Sequence, residues 1–205
     1  AVAEKLLTYA NNRAPLVAAI HEIGKHVPKF QILQDRFPGG STGPLRDICP
    51  FTAMGVFNRS MTDANRKIIA GELAKFLRVE VPVPPSFEGI PVLNNQRSWF
   101  FAYADKRGSG DIDALWKVFT AASKMVDGGS SGTRDTFIQA YDEATQVWGV
   151  AWNLSTGLYW MHPWEFLTLD SQSRHYINKR LRLNIVINGQ QGPCDARSYL
   201  ALLDN

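Results

Sequence analysis

Cysteine is scarce in this chain: two residues, Cys49 and Cys194, among 205. That excludes a disulfide framework, and two thiols cannot build a zinc site without other ligands. It fits a reducing compartment, so a cytoplasmic location is expected. Long apolar runs are also missing. None reaches the roughly 18–20 residues that span a bilayer, so no membrane partner is expected. The first ten residues, Ala1–Ala10, hold no basic stretch followed by an apolar one, the mark of a signal peptide. The chain does not begin with Met and is read as a piece of a longer protein or as trimmed to its ordered part.

Catalytic signatures are absent too. No G-x-x-x-x-G-K-[ST] phosphate loop occurs, and no G-x-G-x-x-G follows a strand pattern. Gly39-Gly40-Ser41-Thr42-Gly43 is glycine-rich but lacks the lysine that reaches phosphates, so it is read as a surface loop. No G-x-S-x-G elbow is present. His21 and His26 stand five apart, about 140° around a helix, whereas the zinc-protease pattern needs i and i+4. Cys49 sits among Ile48, Pro50 and Phe51 and reads as a buried small hydrophobe. This chain is therefore expected to be no enzyme by itself, with no cofactor and no metal of its own.

What is present is a foldable composition: 45% hydrophobic, 20% charged, net charge +3. Helical spacing dominates. Leu16 to Ile23 follows Pro15 and ends near Gly24. Thr62 to Leu77 is capped by Thr62, with Asp63 at the positive end of the dipole. Asp111 to Val126 puts Ile112, Leu115, Trp116, Phe119 and Ala122 on one face. Thr133 to Trp148 follows, with Phe137, Ile138, Tyr141 and Ala144 inward. Asp170 or Ser171 caps another helix towards Leu181, and a last one starts near Asp195. Leu45 to Phe57 is apolar but interrupted by Pro50. Extended pieces are expected at Gly89–Leu93, at Trp152–Met161 and at Leu183–Ile187, the last before an Asn188–Gly189 turn. The fold class is mainly α with minor β, a single domain over 1–205. A subdivision would fall at the Gly128–Gly132 break, near 127–132.

Two clusters carry the chemistry. Trp148, Trp152, Tyr159, Trp160, Trp164 and Phe166 lie within nineteen residues. They either build a core or line a pocket that stacks a planar ligand, with Trp152 or Trp160 holding a base. Arg174, His175, Lys179, Arg180 and Arg182 follow as a helical basic stripe able to meet phosphates, or as an ordinary solvated face. Asn58-Arg59, Asn65-Arg66 and Asn94-Asn95-Gln96-Arg97 add side chains that read base edges or close turns.

Three stretches in order resemble a known family. They are Asp47–Thr52 with Phe57-Asn58-Arg59, Gly89–Asn95 with Ser98–Phe101, and Trp152-Asn153-Leu154 with Gly157–Trp160 and Leu169-Asp170-Ser171. Over residues 42 to 182 the pattern resembles the N-terminal region of McrB-type AAA+ restriction GTPases and related ATPases. The resemblance implies a DNA-recognition module for a defence system. Its parent would bind GTP or ATP with Mg, self-associate through a motor domain and recruit a nuclease subunit. None of the motor's motifs stands in this chain. The expected nucleic-acid contacts, chosen by chemistry, are Arg174, Lys179, Arg180, Arg182, Arg97, Asn95, Trp152 and Trp160. Two other readings are a protein-interaction domain docking a motor or nuclease, and an enzyme built around Asn94 to Arg97.

Overall fold

The computed structural model describes residues 1–27, 30, 33–58, 61–88, 90, 99–128, 131–183, 185 and 194–204. Helices dominate, as the spacing predicts. They are α1 (Val2–Leu7), α2 (Ala14–His26), α3 (Pro50–Gly55), α4 (Asp63–Phe76), α5 (Asp111–Val126), α6 (Ser131–Thr145), α7 (Asn153–Met161), α8 (Ser171–Tyr176) and α9 (Ala196–Leu203). A π-helical turn, Ile177–Leu181, extends α8. Two short strands, β1 (Gln34–Arg36) and β2 (Thr42–Pro44), pair antiparallel with Asp35 opposite Gly43.

Local chemistry explains most boundaries. Thr62 caps α4 by accepting from the Asn65 amide at 3.3 Å, and Asp170 and Asp195 cap α8 and α9 through the Ser173 and Ser198 amides at 2.8 Å. Pro50 begins α3 instead of breaking it, because the first helical turn needs no proline N–H. Cys49 caps that helix, its Sγ accepting from the Thr52 amide at 3.3 Å. The glycine-rich loop closes the β1–β2 hairpin, where Gly39 and Gly40 both adopt positive φ.

α5 and α6 form the central pair, and α9 packs on α6. The buried α5 face is the expected one, with Ile112, Leu115, Trp116, Phe119 and Ala122 all inside. The Trp116 indole N–H donates to the Ile48 carbonyl at 2.9 Å. Each large apolar side chain buried here stabilises by about 1.5–3 kcal/mol.

Three expectations need correcting. Trp152 to Met161 is not extended: Asn153–Met161 is helix α7. Short apolar runs fit either state, and Gly157, which weakens a strand, here lets α7 cross α3. A Cβ on Gly157 would lie 2.5 Å from a Phe51 ring carbon and 3.1 Å from Phe100. α6 stops at Thr145, short of Trp148, because the chain turns through Gly149 and Ala151, both at positive φ. Leu183 and Ile185 belong to no strand; the Asn178 side-chain amide holds the Ile185 backbone at both its N–H and its carbonyl. The rest of the 183–189 expectation, and all of Gly89–Leu93 except Ile90, lie outside the described residues.

Candidate aromatic binding cleft

A cleft of about 480 Å³ opens where three distant segments meet. The hairpin contributes Arg36. The strand-free segment after residue 98 contributes Trp99, Phe101, Tyr103 and Lys106. The turn between α6 and α7 contributes Trp148, Gly149, Ala151, Trp152 and Asn153. Such a volume suits a small-molecule-sized group.

Its walls are held from behind. Asp35 is fully buried and accepts from the Ala104 amide at 2.8 Å, the Arg36 amide at 2.9 Å and the Arg107 guanidinium at 2.9 Å. Arg107 in turn lies 5.2 Å over the Phe101 ring and donates to the Ala102 carbonyl at 3.2 Å. The Asp105 amide donates to the Arg36 carbonyl at 2.9 Å. Thus one buried ion pair ties the hairpin to the aromatic wall. Trp99 meets Phe101 edge-on at 5.4 Å and Tyr103 at 5.5 Å. Gly149 turns the opposite wall at φ +96°, a conformation that side-chain-bearing residues rarely adopt, and lies against the Phe101 backbone. Ala151, at φ 40°, is strained for a residue with a side chain, and such strain gathers at ligand sites.

The rim is basic. Arg36 is oriented by Asp105 (Nε–Oδ2 2.5 Å), whose carboxylate raises its pKa, and lies 5.2 Å over Tyr103. The Lys106 ammonium is exposed and has no partner among the described residues. α7 starts at this cleft with no side chain capping its first turn, so the positive end of its dipole faces the same region. Trp148 is 67% exposed, far more than a core tryptophan.

The expected site residues divide. Trp152 lines this cleft, half-buried, with the Arg174 guanidinium 4.0 Å over its ring. Arg174 is therefore no member of a surface stripe. It is 7% exposed, donates to the Leu169 carbonyl at 2.9 Å, and burial lowers its pKa. Helical spacing placed it beside the stripe, but its own position on α8 points inward. Lys179, Arg180 and Arg182 are exposed, with Arg182 in the left-handed region that ends the π-turn. Trp160 sits at the other end of α7, against Gly55 and 6.2 Å from Phe100, and lines a separate hollow. Asn58 and Arg66 face inward and bond each other at 2.5 Å, so they read no base edge. Arg59, Asn94, Asn95, Gln96 and Arg97 lie outside the described residues.

Arg36, Tyr103 and Lys106 escaped the sequence reading. No local spacing marks them, because residue 36 meets residues 99–107 through contacts distant in sequence: Asp35 with Arg107 and the Ala104 amide, and Arg36 with Asp105. Cys49 is buried and Cys194 half-buried; burial pushes the Cys49 thiol up to about 12 and the Cys194 thiol up to about 11, far from nucleophilic values. His26 is exposed and pairs with Glu22 at 3.1 Å, while burial lowers the His21 pKa. Among the described residues, no helix is long and apolar enough to cross a membrane.

No curated protein and no solved structure matches this chain. One family model matches it from residue 1 to residue 205, and the chain belongs to that family, described as Domain of unknown function (DUF8425).

Proposed function

We propose that this domain recognises nucleic acid, DNA in the first instance, and holds an unstacked base in the cleft of Trp99, Trp148 and Trp152. The observation that carries it is Trp148. It stands exposed across from a second aromatic wall, with Arg36 and Lys106 on the rim. Stacking platforms beside cations are how proteins hold single-stranded or extruded bases. Lys179, Arg180 and Arg182 supply phosphate contacts on the exposed turn after α8. The resemblance to McrB-type regions extends the proposal to a targeting module whose parent is a GTP- or ATP-driven motor with a nuclease partner.

Fluorescence anisotropy with short DNA tests this, using single strand, unmodified duplex and duplex with modified cytosine at two salt concentrations. Binding weakens as salt rises, because phosphate contacts release counterions. Trp148→Ala weakens the preferred form by about 5- to 150-fold, the loss of one stacked base. Arg180→Ala with Arg182→Ala weakens all forms and shallows the salt slope by about 0.7–0.9 per lost contact. Absence of binding at low salt sinks the proposal and turns attention to a protein partner.

A further inference from the structure

α7 carries a second aromatic site at its other end, of opposite electrical character. Phe57, Tyr159, Trp160 and Trp164 surround a hollow of about 340 Å³, with Glu88 on its edge. Trp164 is 94% exposed, so it packs against almost nothing in the free protein. Trp160 is fixed from behind by Gly55 and Phe100. Among the described lining residues the only charged group is Glu88, and its carboxylate has no partner among the described residues. The hollow lies at the C-terminal end of α7, where the helix dipole places partial negative charge. Arg66 is close behind this wall, 4.4 Å over Phe87, but it is buried and bound to Asn58, to the Phe57 carbonyl and to Asp63 at 3.4 Å.

We infer that this hollow is an aromatic cage for a quaternary or methylated ammonium group. Ring faces attract a cation through their quadrupole, and methylated ammonium is weakly hydrated enough to leave water for them. Glu88 and the end of α7 add negative potential at the same place. An anionic or neutral planar ligand gains neither contribution here, whereas the Arg36–Lys106 cleft offers it the opposite field. The two sites therefore sort ligands by charge from the two ends of one helix. This inference does not depend on nucleic-acid binding at the first cleft.

Isothermal titration with choline chloride, and separately with its uncharged isostere 3,3-dimethyl-1-butanol, tests it on the intact chain. Choline is expected to saturate the protein and to bind about tenfold or more tightly than the isostere. Trp164→Ala removes a wall that supports no packing, so the fold survives (checked by circular dichroism), and choline binding is lost. Glu88→Gln keeps the shape and weakens choline severalfold while leaving the isostere unchanged. Trp148→Ala, in the other cleft, leaves choline binding intact. A short peptide carrying trimethyllysine, if it binds more tightly than choline, places the ammonium on a chain; equal or weaker binding places it on a small molecule. Equal affinity for choline and the isostere, no saturation at tens of millimolar, or binding indifferent to both Trp164→Ala and Glu88→Gln overturns the proposal.

Discussion

Burying Asp35 removes a carboxylate from water, and three donors compensate for that cost. Two amides and the Arg107 guanidinium donate to it, and Arg107 is itself covered by Phe101. An ion pair of this kind adds little net stability when intact. Breaking it is expensive, because one charge stays buried without its partner. Asp35→Ala is therefore expected to lower unfolding free energy by about 3–5 kcal/mol in a denaturant titration. Arg107→Ala should cost a similar amount, and the double variant much less than the sum, since each single change already breaks the same contact. Additive losses would mean that the two side chains act separately, and that the cleft wall is fixed some other way. The same residue logic separates Arg174 from Lys179, Arg180 and Arg182. All four look alike in sequence, yet one stacks under Trp152 while three meet solvent.

Between elements, glycine decides whether helices can touch. Gly157 lies where α7 crosses α3, and Phe51 cannot retreat, being packed against Phe100 at 5.3 Å and Phe119 at 5.6 Å. Gly157→Ala gains about 1 kcal/mol of helix propensity but forces a core overlap costing about 1–3 kcal/mol, so a net loss of stability is expected. Gly71, inside α4, is the control: an added Cβ meets only Val83 at an ordinary 3.7 Å. Gly71→Ala should stabilise by about 0.5–1 kcal/mol. Thermal melts of the two variants moving in the same direction would contradict this account. The contrast also shows what was legible in the sequence. α4 and α5 were, since a cap residue and a 3.6-residue stripe are local signals. α7 was not, because its glycine serves a partner helix that the sequence does not display. The aromatic cluster was visible as a cluster, but its division between two clefts follows from the two ends of α7. Arg36 and Lys106 were invisible, because the hairpin reaches residues 99–107 only through tertiary contacts.

At the scale of the molecule, the question is whether the break after α5 separates two units. The packing argues against it. One apolar cluster runs from Ala3 to Leu200, and α5 and α6, which flank the break, form the most extensive helix pair. Each side also ties down a terminus. Arg13 pairs with Asp113 on α5 and with Asp47 at 3.0 Å. On the other side, Tyr199 stacks on Tyr141 of α6 at 5.2 Å and its hydroxyl donates to the Leu167 carbonyl at 2.7 Å. A fragment ending at residue 127 would expose the α5 face that α6 covers, and one starting at 132 would lose α5, the helix against which α6 packs. Burial scales with chain length, so each piece is also small for an independent core. The intact chain is expected to unfold in one cooperative transition, with calorimetric and van't Hoff enthalpies equal. Expressed alone, 1–127 and 132–205 should each lack a cooperative melt; co-expressed, they should copurify and recover most of the native circular dichroism. A fragment that melts cooperatively alone would make α5–α6 an interface between two domains. The two clefts would still share α7 in that case, but the first would draw its aromatic wall from one domain and Trp148 from the other. Ligand binding at that cleft would then raise the melting temperature of the intact chain and leave both isolated fragments unchanged.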